Sequence, residues 1–238
     1  MPRFALTIEY DGRAFQGTQA QGPGLRTLQG VLEAAATRLD GQEVQVRLCS
    51  RLDAEVSALA LTGDCLFGKD WHPATLALAF TGNLPADVAV RKVARVADDW
   101  SAKIHARSKT YRYRVVQRGV RPVLDRDCLW VRQLDHVERL HELAALLVGD
   151  LDLSGFACLR GDDTHWLFRI TGQGFLYKQV RGLVGAMVHV AQGRAECADF
   201  IAAMQAGRGA RRFGNIVPGH GLALECVSYD PEPEWVVI

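Results

Sequence analysis

The 238-residue chain contains no run of eighteen consecutive apolar residues, so no segment is expected to cross a bilayer as a helix. Its opening, MPRFALTIEYDG, already holds an acid and an Asp-Gly turn, which leaves no room for the apolar core of a secretory leader. The six cysteines (Cys49, Cys65, Cys128, Cys158, Cys197 and Cys226) come no closer than sixteen residues and form no C-x-x-C pair. A zinc ribbon or redox dithiol needs two sulfurs on one tight turn, so neither is expected. Scattered cysteines among apolar residues read instead as core filling in a reducing cytosol. The seven histidines form no His-Glu-x-x-His motif, and no Gly-x-Ser-x-Gly elbow presents a serine. Metal-dependent and serine hydrolysis therefore lack their parts, and no metal site is predicted. Lysine is scarce as well, 5 against 23 arginines.

What is present is the composition of an ordinary globular protein, 48% hydrophobic and 23% charged, long enough for one core or two similar halves. The net charge of +1 hides a gradient. Residues 1–119 carry 16 cations and 12 acids, a balance of +4, and residues 120–238 carry 12 and 15, a balance of −3. One window is strongly basic: Lys103, Arg107, Lys109, Arg112, Arg114 and Arg118 occur without an acid between them, interleaved with Tyr111 and Tyr113.

Two near-motifs fail on inspection. Gly63–Asp70 resembles a phosphate-binding P-loop, but the final Ser or Thr is Asp70, whose charge repels phosphate. Asp150–Gly161 opens like an EF-hand loop, but Gly161 stands where the bidentate Glu belongs, so a turn is the better reading.

Periodicity predicts strands over 4–10, 44–49, 58–67 and 88–100, with helices over 28–39 and 71–80. The second half repeats this rhythm. Strands are predicted over 109–117, 128–132, 166–171 and 222–229, and helices over 137–147, 180–191 and 195–206. The order strand–helix–strand–strand–helix–strand, met twice, predicts an α+β protein of two ferredoxin-like (RRM-like) halves, 1–104 and 105–238.

Four segments carry chemistry. Tyr10–Gln21 (YDGRAFQGTQAQ), followed by TLQGVLE at Thr27–Glu33, reads as strand, turn, amide-rich loop and helix. Its glutamines, Gln19 among them, suit sugars and base edges, or simply furnish a polar loop. Ser50–Ala58 (SRLDAEVSA) places Arg51 and Asp53 two apart at a strand end, as an ion pair closing a loop or as an ionised acid for catalysis. Lys109–Val115 (KTYRYRV) is a strand with both tyrosines on one face and Arg112 on the other. It suits base stacking and phosphate binding, or a half-buried strand with a solvated face. Phe175–Arg194 (FLYKQVRGLVGAMVHVAQGR) is a helix burying Val180, Leu183, Val184, Met187, Val188 and Ala191. Lys178 and Arg194 flank it, and Arg181 sits at the stripe's edge, facing a groove or snorkelling.

In this order the four segments resemble the TruA-type tRNA pseudouridine synthases. The family pattern runs Y-D-G-x-x-F-x-G-x-Q-x-Q with T-[VL]-Q-G-x-L-E, then R-T-D-x-G-V-H-A, K-x-Y-x-Y and F-L-x-x-x-V-R-N-[IL]-V-G. It matches at Tyr10, Asp11, Gly12, Phe15, Gly17, Gln19, Gln21, Thr27, Gln29, Gly30 and Glu33, and again at Phe175, Leu176, Val180, Arg181, Val184 and Gly185. Leu52, Glu55 and Ser57 replace its Thr, Gly and His, and Gly182 replaces its Asn. The stretch between Phe156 and Phe175 is shorter than is usual in the family. The resemblance implies largely antiparallel sheets around a central basic cleft, and a cytoplasmic homodimer that needs no cofactor. It implies isomerisation of uridine to pseudouridine at positions 38 to 40 of the tRNA anticodon stem-loop. Asp53 becomes the catalytic acid residue, Arg51 fills the space left by the extruded uridine, and Arg181 keeps Asp53 ionised. Tyr111 stacks on the base, and Lys109, Arg112, Arg107, Gln19 and Lys178 bind substrate. The alternative from a different class is a catalytically weak tRNA-binding or chaperone protein on the same fold.

Overall fold

The computed structural model describes residues 1–22, 24–147, 155–160, 165–206 and 213–237, with 155–160 described as backbone only. The chain forms two compact units, Met1–Lys109 with Ala223–Ile238, and Thr110–Leu222.

The first unit contains β1 (Arg3–Tyr10), α1 (Leu28–Asp40), β2 (Val46–Leu48), β3 (Ser57–Leu66), α2 (Pro73–Thr81), β4 (Val88–Val96) and the start of β5 (Ala106–Gln117). After the chain returns it adds β9 (Leu222–Tyr229) and β10 (Val236–Val237). Its strand order is β10-β4-β1-β3-β9, with β2 also on β3. β1 runs antiparallel to both β3 and β4, while β9 joins β3 in parallel through Ser57↔Ala223 and Ala58↔Leu224. Thr27 caps α1 by accepting the Gly30 N–H, and Gly41 ends it at φ +82, where only glycine is unstrained. Leu28, Leu32, Ala35 and Ala36 of α1 are buried, as are Leu76, Ala77 and Phe80 of α2. Phe67 sits at the centre of the core, edge-on to Phe4, Trp71 and Phe80.

Two buried acids fix the frame. Asp64 on β3 is fully buried and accepts from Arg3, Arg47 and the Ala102 N–H, so its charge is matched on every side. The carboxylate of Asp40 accepts the N–H groups of Gly68 and Lys69 at 3.0–3.1 Å. Those amides, which a P-loop offers to phosphate, are satisfied inside the protein.

The second unit contains the rest of β5, β6 (Leu129–Val131), α3 (Glu138–Leu146), β7 (Gly155–Arg160), β8 (His165–Gly172), α4 (Gln179–Ala191) and α5 (Cys197–Gln205). β8 lies between β5 and β7, antiparallel to β7 (Gly155↔Thr171 to Arg160↔Trp166), and β6 lies parallel to β5. The expected stripe of α4 is buried throughout, joined by Gly185, Ala186 and Val190.

The protein is therefore α+β with mostly antiparallel pairing. The strand predicted over 44–49 shortens to β2, and the one over 88–100 ends at Val96. β7, absent from the sequence reading, is GFACLR, an unbroken apolar run from Phe156 to Leu159 with no apolar–polar alternation to register. Of the EF-hand-like stretch, 150–154 and 161 lie outside the described residues, and 155–160 form β7. Core filling holds for Cys49, Cys65 and Cys128 but not for Cys226, which is exposed on the outward-alternating edge of β9, nor for Cys197, half-exposed at the start of α5. Among the described residues no helix is long and apolar enough to cross a membrane.

Candidate active site

Asp53 lies in the first unit, half-buried, on the connection from β2 to β3. That connection has no regular structure of its own, so its shape depends on what grips it. The Tyr10–Gln21 segment does much of the gripping. Thr18, 1% exposed, donates its N–H to the Leu52 carbonyl at 3.2 Å, and its Oγ1 accepts the Leu52 N–H at 2.9 Å. The same hydroxyl lies 3.4 Å from the Ser50 carbonyl, to which it donates. The Phe15 carbonyl accepts the Glu55 N–H at 3.2 Å, and the Gly12 N–H donates to Ser57 Oγ at 2.9 Å. Close approach requires the two glycines. A Cβ on Gly12 would stand 2.1 Å from the Val56 carbonyl oxygen, and one on Gly17, at φ +104, 2.9 Å from that of Leu52.

The other end is held by Lys109, whose Nζ donates to the Cys49 carbonyl at 3.0 Å. Arg51 and Arg107 are exposed, and so is Gln19. The remaining glutamines brace the loop. Gln16 accepts the Arg26 N–H, Gln21 donates to the Gln16 carbonyl, and Gln29 accepts the Ala20 N–H while donating to Glu33.

The second unit carries the other expected residues. Tyr111, 7% exposed, meets Phe175 edge-on with centroids 5.1 Å apart. Tyr113, on the same face of β5, donates its hydroxyl to the Pro218 carbonyl at 2.9 Å. Burial pushes its phenol well above the usual range, and the nearby Arg181 charge partly opposes that rise. Arg181 is half-buried. Its Nε donates to the Val217 carbonyl at 2.8 Å, and the Val217 N–H donates back to the Arg181 carbonyl. One turn on, a Cβ at Gly185 would fall 1.8 Å from the Asn215 carbonyl oxygen, so α4 and the segment before Val217 pack backbone to side. Lys178 immediately precedes α4 at φ +58, its Nζ 4.7 Å from the centroid of the exposed Tyr177 ring. Arg112 is half-buried, with no acceptor for its Nε among the described residues. No group of three or more metal-ligating side chains gathers among the described residues.

The tRNA pseudouridine synthase family profile matches residues 128–230. The whole chain is 38% identical to tRNA pseudouridine synthase A of Azorhizobium caulinodans, covering 97% of that protein. It is 36% identical to tRNA pseudouridine synthase A of Maricaulis maris, over 96% of this chain and 98% of that one. The chain belongs to the tRNA pseudouridine synthase A family. Among solved structures, the archaeal box H/ACA sRNP Nop10–Cbf5 complex aligns with 96% of this chain and 48% of that chain, at 11% identity and a TM-score of 0.37, too distant to bear on the fold.

Against the family pattern, the departures of this synthase-family chain now have physical settings. Glu55, in place of Gly, is held at φ +66. Ser57, in place of His, accepts the Gly12 N–H. Leu52, in place of Thr, is buried, with both backbone groups bonded to Thr18. Gly182, in place of Asn, has open space around its would-be Cβ, so packing does not demand glycine there. Sequence reasoning passed over Thr18, since a lone hydroxyl in a polar loop carries no periodic signal.

Proposed function

We propose that this chain isomerises uridine to pseudouridine at positions 38 to 40 of the tRNA anticodon stem-loop, as a cytoplasmic homodimer. The observation that carries the reading is the Asp53 loop, an irregular connection gripped by the segment that most fully matches the family, in a chain related over its whole length. A carboxylate on a preset loop suits a reaction in which one acid must meet one sugar carbon. The fold proposed is two ferredoxin-like halves around a basic cleft, the first carrying Asp53 and the second Tyr111 and Arg181. The order β4-β1-β3-β2 in the first unit supports it.

The chemistry needs no net reagent. The C1′–N1 bond breaks, the uracil turns, C5 bonds to C1′, C5 loses a proton and N1 gains one. Asp53 acts as nucleophile, or as base on a route through a glycal. The uridine first leaves the stack, at a cost of a few kcal/mol. Arg51 takes its place and Tyr111 stacks on the extruded base. Family resemblance assigns Arg181 to hold Asp53 ionised, and Lys109, Arg107, Arg112, Lys178 and Gln19 to the RNA.

The test is pseudouridine mapping on an unmodified tRNA transcript. Asp53→Asn is expected to abolish product while changing tRNA affinity less than threefold. Product formed by the variant at the wild-type rate would remove Asp53 from the chemistry.

A further inference from the structure

Thr18 is buried, polar and at none of the matched family positions, yet its hydroxyl makes two hydrogen bonds to the backbone of the Asp53 loop. Its amide and hydroxyl close a two-way clamp on Leu52, the residue immediately before Asp53, and the hydroxyl also reaches the Ser50 carbonyl. Its own carbonyl accepts the Gln29 N–H at 2.9 Å, and the Gly17 carbonyl accepts the Leu28 N–H at 3.2 Å. Thr18 thus links the first turn of α1 to the backbone that carries Asp53. Leu52 itself offers no hydroxyl where the family pattern has threonine, and its N–H is met by a hydroxyl from a different segment.

We propose that Thr18 is a positioning residue for the isomerisation, setting the backbone of Asp53 through Leu52. The proposal rests on the assignment of Asp53 made above. Positioning differs from mere support because a misplacement of about 1 Å at a catalytic group slows the chemical step strongly while leaving remote RNA contacts untouched.

The test uses the full chain and an unmodified tRNA transcript, with Thr18→Val, Thr18→Ala and Thr18→Ser compared by kcat, KM and thermal midpoint. Valine keeps the shape and deletes the hydroxyl, and serine keeps the hydroxyl. Thr18→Val and Thr18→Ala are expected to lower kcat at least tenfold with KM within twofold, assayed well below their midpoints, and Thr18→Ser to stay within threefold of the parent. Wild-type kcat in Thr18→Val, a loss confined to KM, failure of serine to rescue, or loss of the folded state in both the valine and alanine variants would each overturn it. Asp53→Asn is run alongside. An active Asp53→Asn defeats the functional reading, whereas an inactive Asp53→Asn beside a fully active Thr18→Val defeats this inference alone.

Discussion

Glu55 occupies a backbone conformation that L-residues avoid, at φ +66, two positions after Asp53. The left-handed region costs a non-glycine residue roughly 1–2 kcal/mol, while glycine loses about 0.5–1 kcal/mol more chain entropy on folding. The difference favours glycine. Because Glu55 is exposed, no packing is lost with its side chain. Glu55→Gly is expected to raise the urea midpoint by an amount equivalent to about 0.5 kcal/mol without changing the slope of the transition. Residue roles are only partly legible in the sequence. Gly12 and Gly17 were visible as motif letters, but their reason, carbonyls of Val56 and Leu52 lying where a Cβ would be, exists only in the folded chain. Lys109 stands in the sequence as one letter of a basic window, and its bond to the Cys49 carbonyl, sixty residues away, exists only in the folded chain. Side-chain partners far apart in sequence leave no trace in spacing.

Elements were far more legible, because period 2 and period 3.6 are local properties. The stripe Val180–Leu183–Val184–Met187–Val188–Ala191 is buried as expected on α4. Pairing partners were not legible, since alternation in β9 does not say that it runs beside β3. What joins elements is often a single contact, and Arg26–Asp87 is one. Arg26 precedes α1, Asp87 precedes β4, and the two form a fork at 2.7 Å on both arms, with the guanidinium 4.1 Å from the centroid of the Phe15 ring. The side-chain bonds from Arg26 hold the Asp87 carboxyl below its usual range. A carboxylate with a depressed folded-state pKa contributes stability that is present above its unfolded value, about 3.9, and lost as pH falls through the folded value. With about a third of each side chain exposed, solvent screening limits the contribution to about 1 kcal/mol or less. Asp87→Asn is expected to lower stability by that amount at pH 7, and the gap to the parent should close as urea titrations are taken from pH 5 towards pH 2.

At the scale of the whole molecule, the first unit is interrupted. The chain leaves it within β5, at Lys109, and returns at Ala223 to complete it with β9 and β10. Sequence order divides the chain at 104 and 105, because nothing in composition marks a strand that continues from one unit into the next. Charge shows the same limit. A total of +1 is uninformative about RNA, and the window from Lys103 to Arg118 suggests a run of phosphate ligands. The structure sorts that window. Arg114 is paired with Asp127 and Asp125, Lys109 is on the Cys49 carbonyl, and Arg112 is half-buried. Lys103, Arg107 and Arg118 are exposed. If the protein grips tRNA by its phosphates, each exposed cation that meets a phosphate releases a counterion on binding and adds about 0.7–0.9 to the slope of log affinity against log salt. Fluorescence-anisotropy titrations of labelled tRNA across KCl concentration are therefore expected to show a slope reduced by nearly one in Arg107→Gln, Lys103→Gln or Arg118→Gln. Arg114→Gln should keep the parent slope and lose stability instead, through the unpaired acids it leaves behind. A parent slope near zero would place tRNA recognition outside these cations, and an Arg114→Gln slope as reduced as the others would show that ion pairing does not keep that arginine from the RNA.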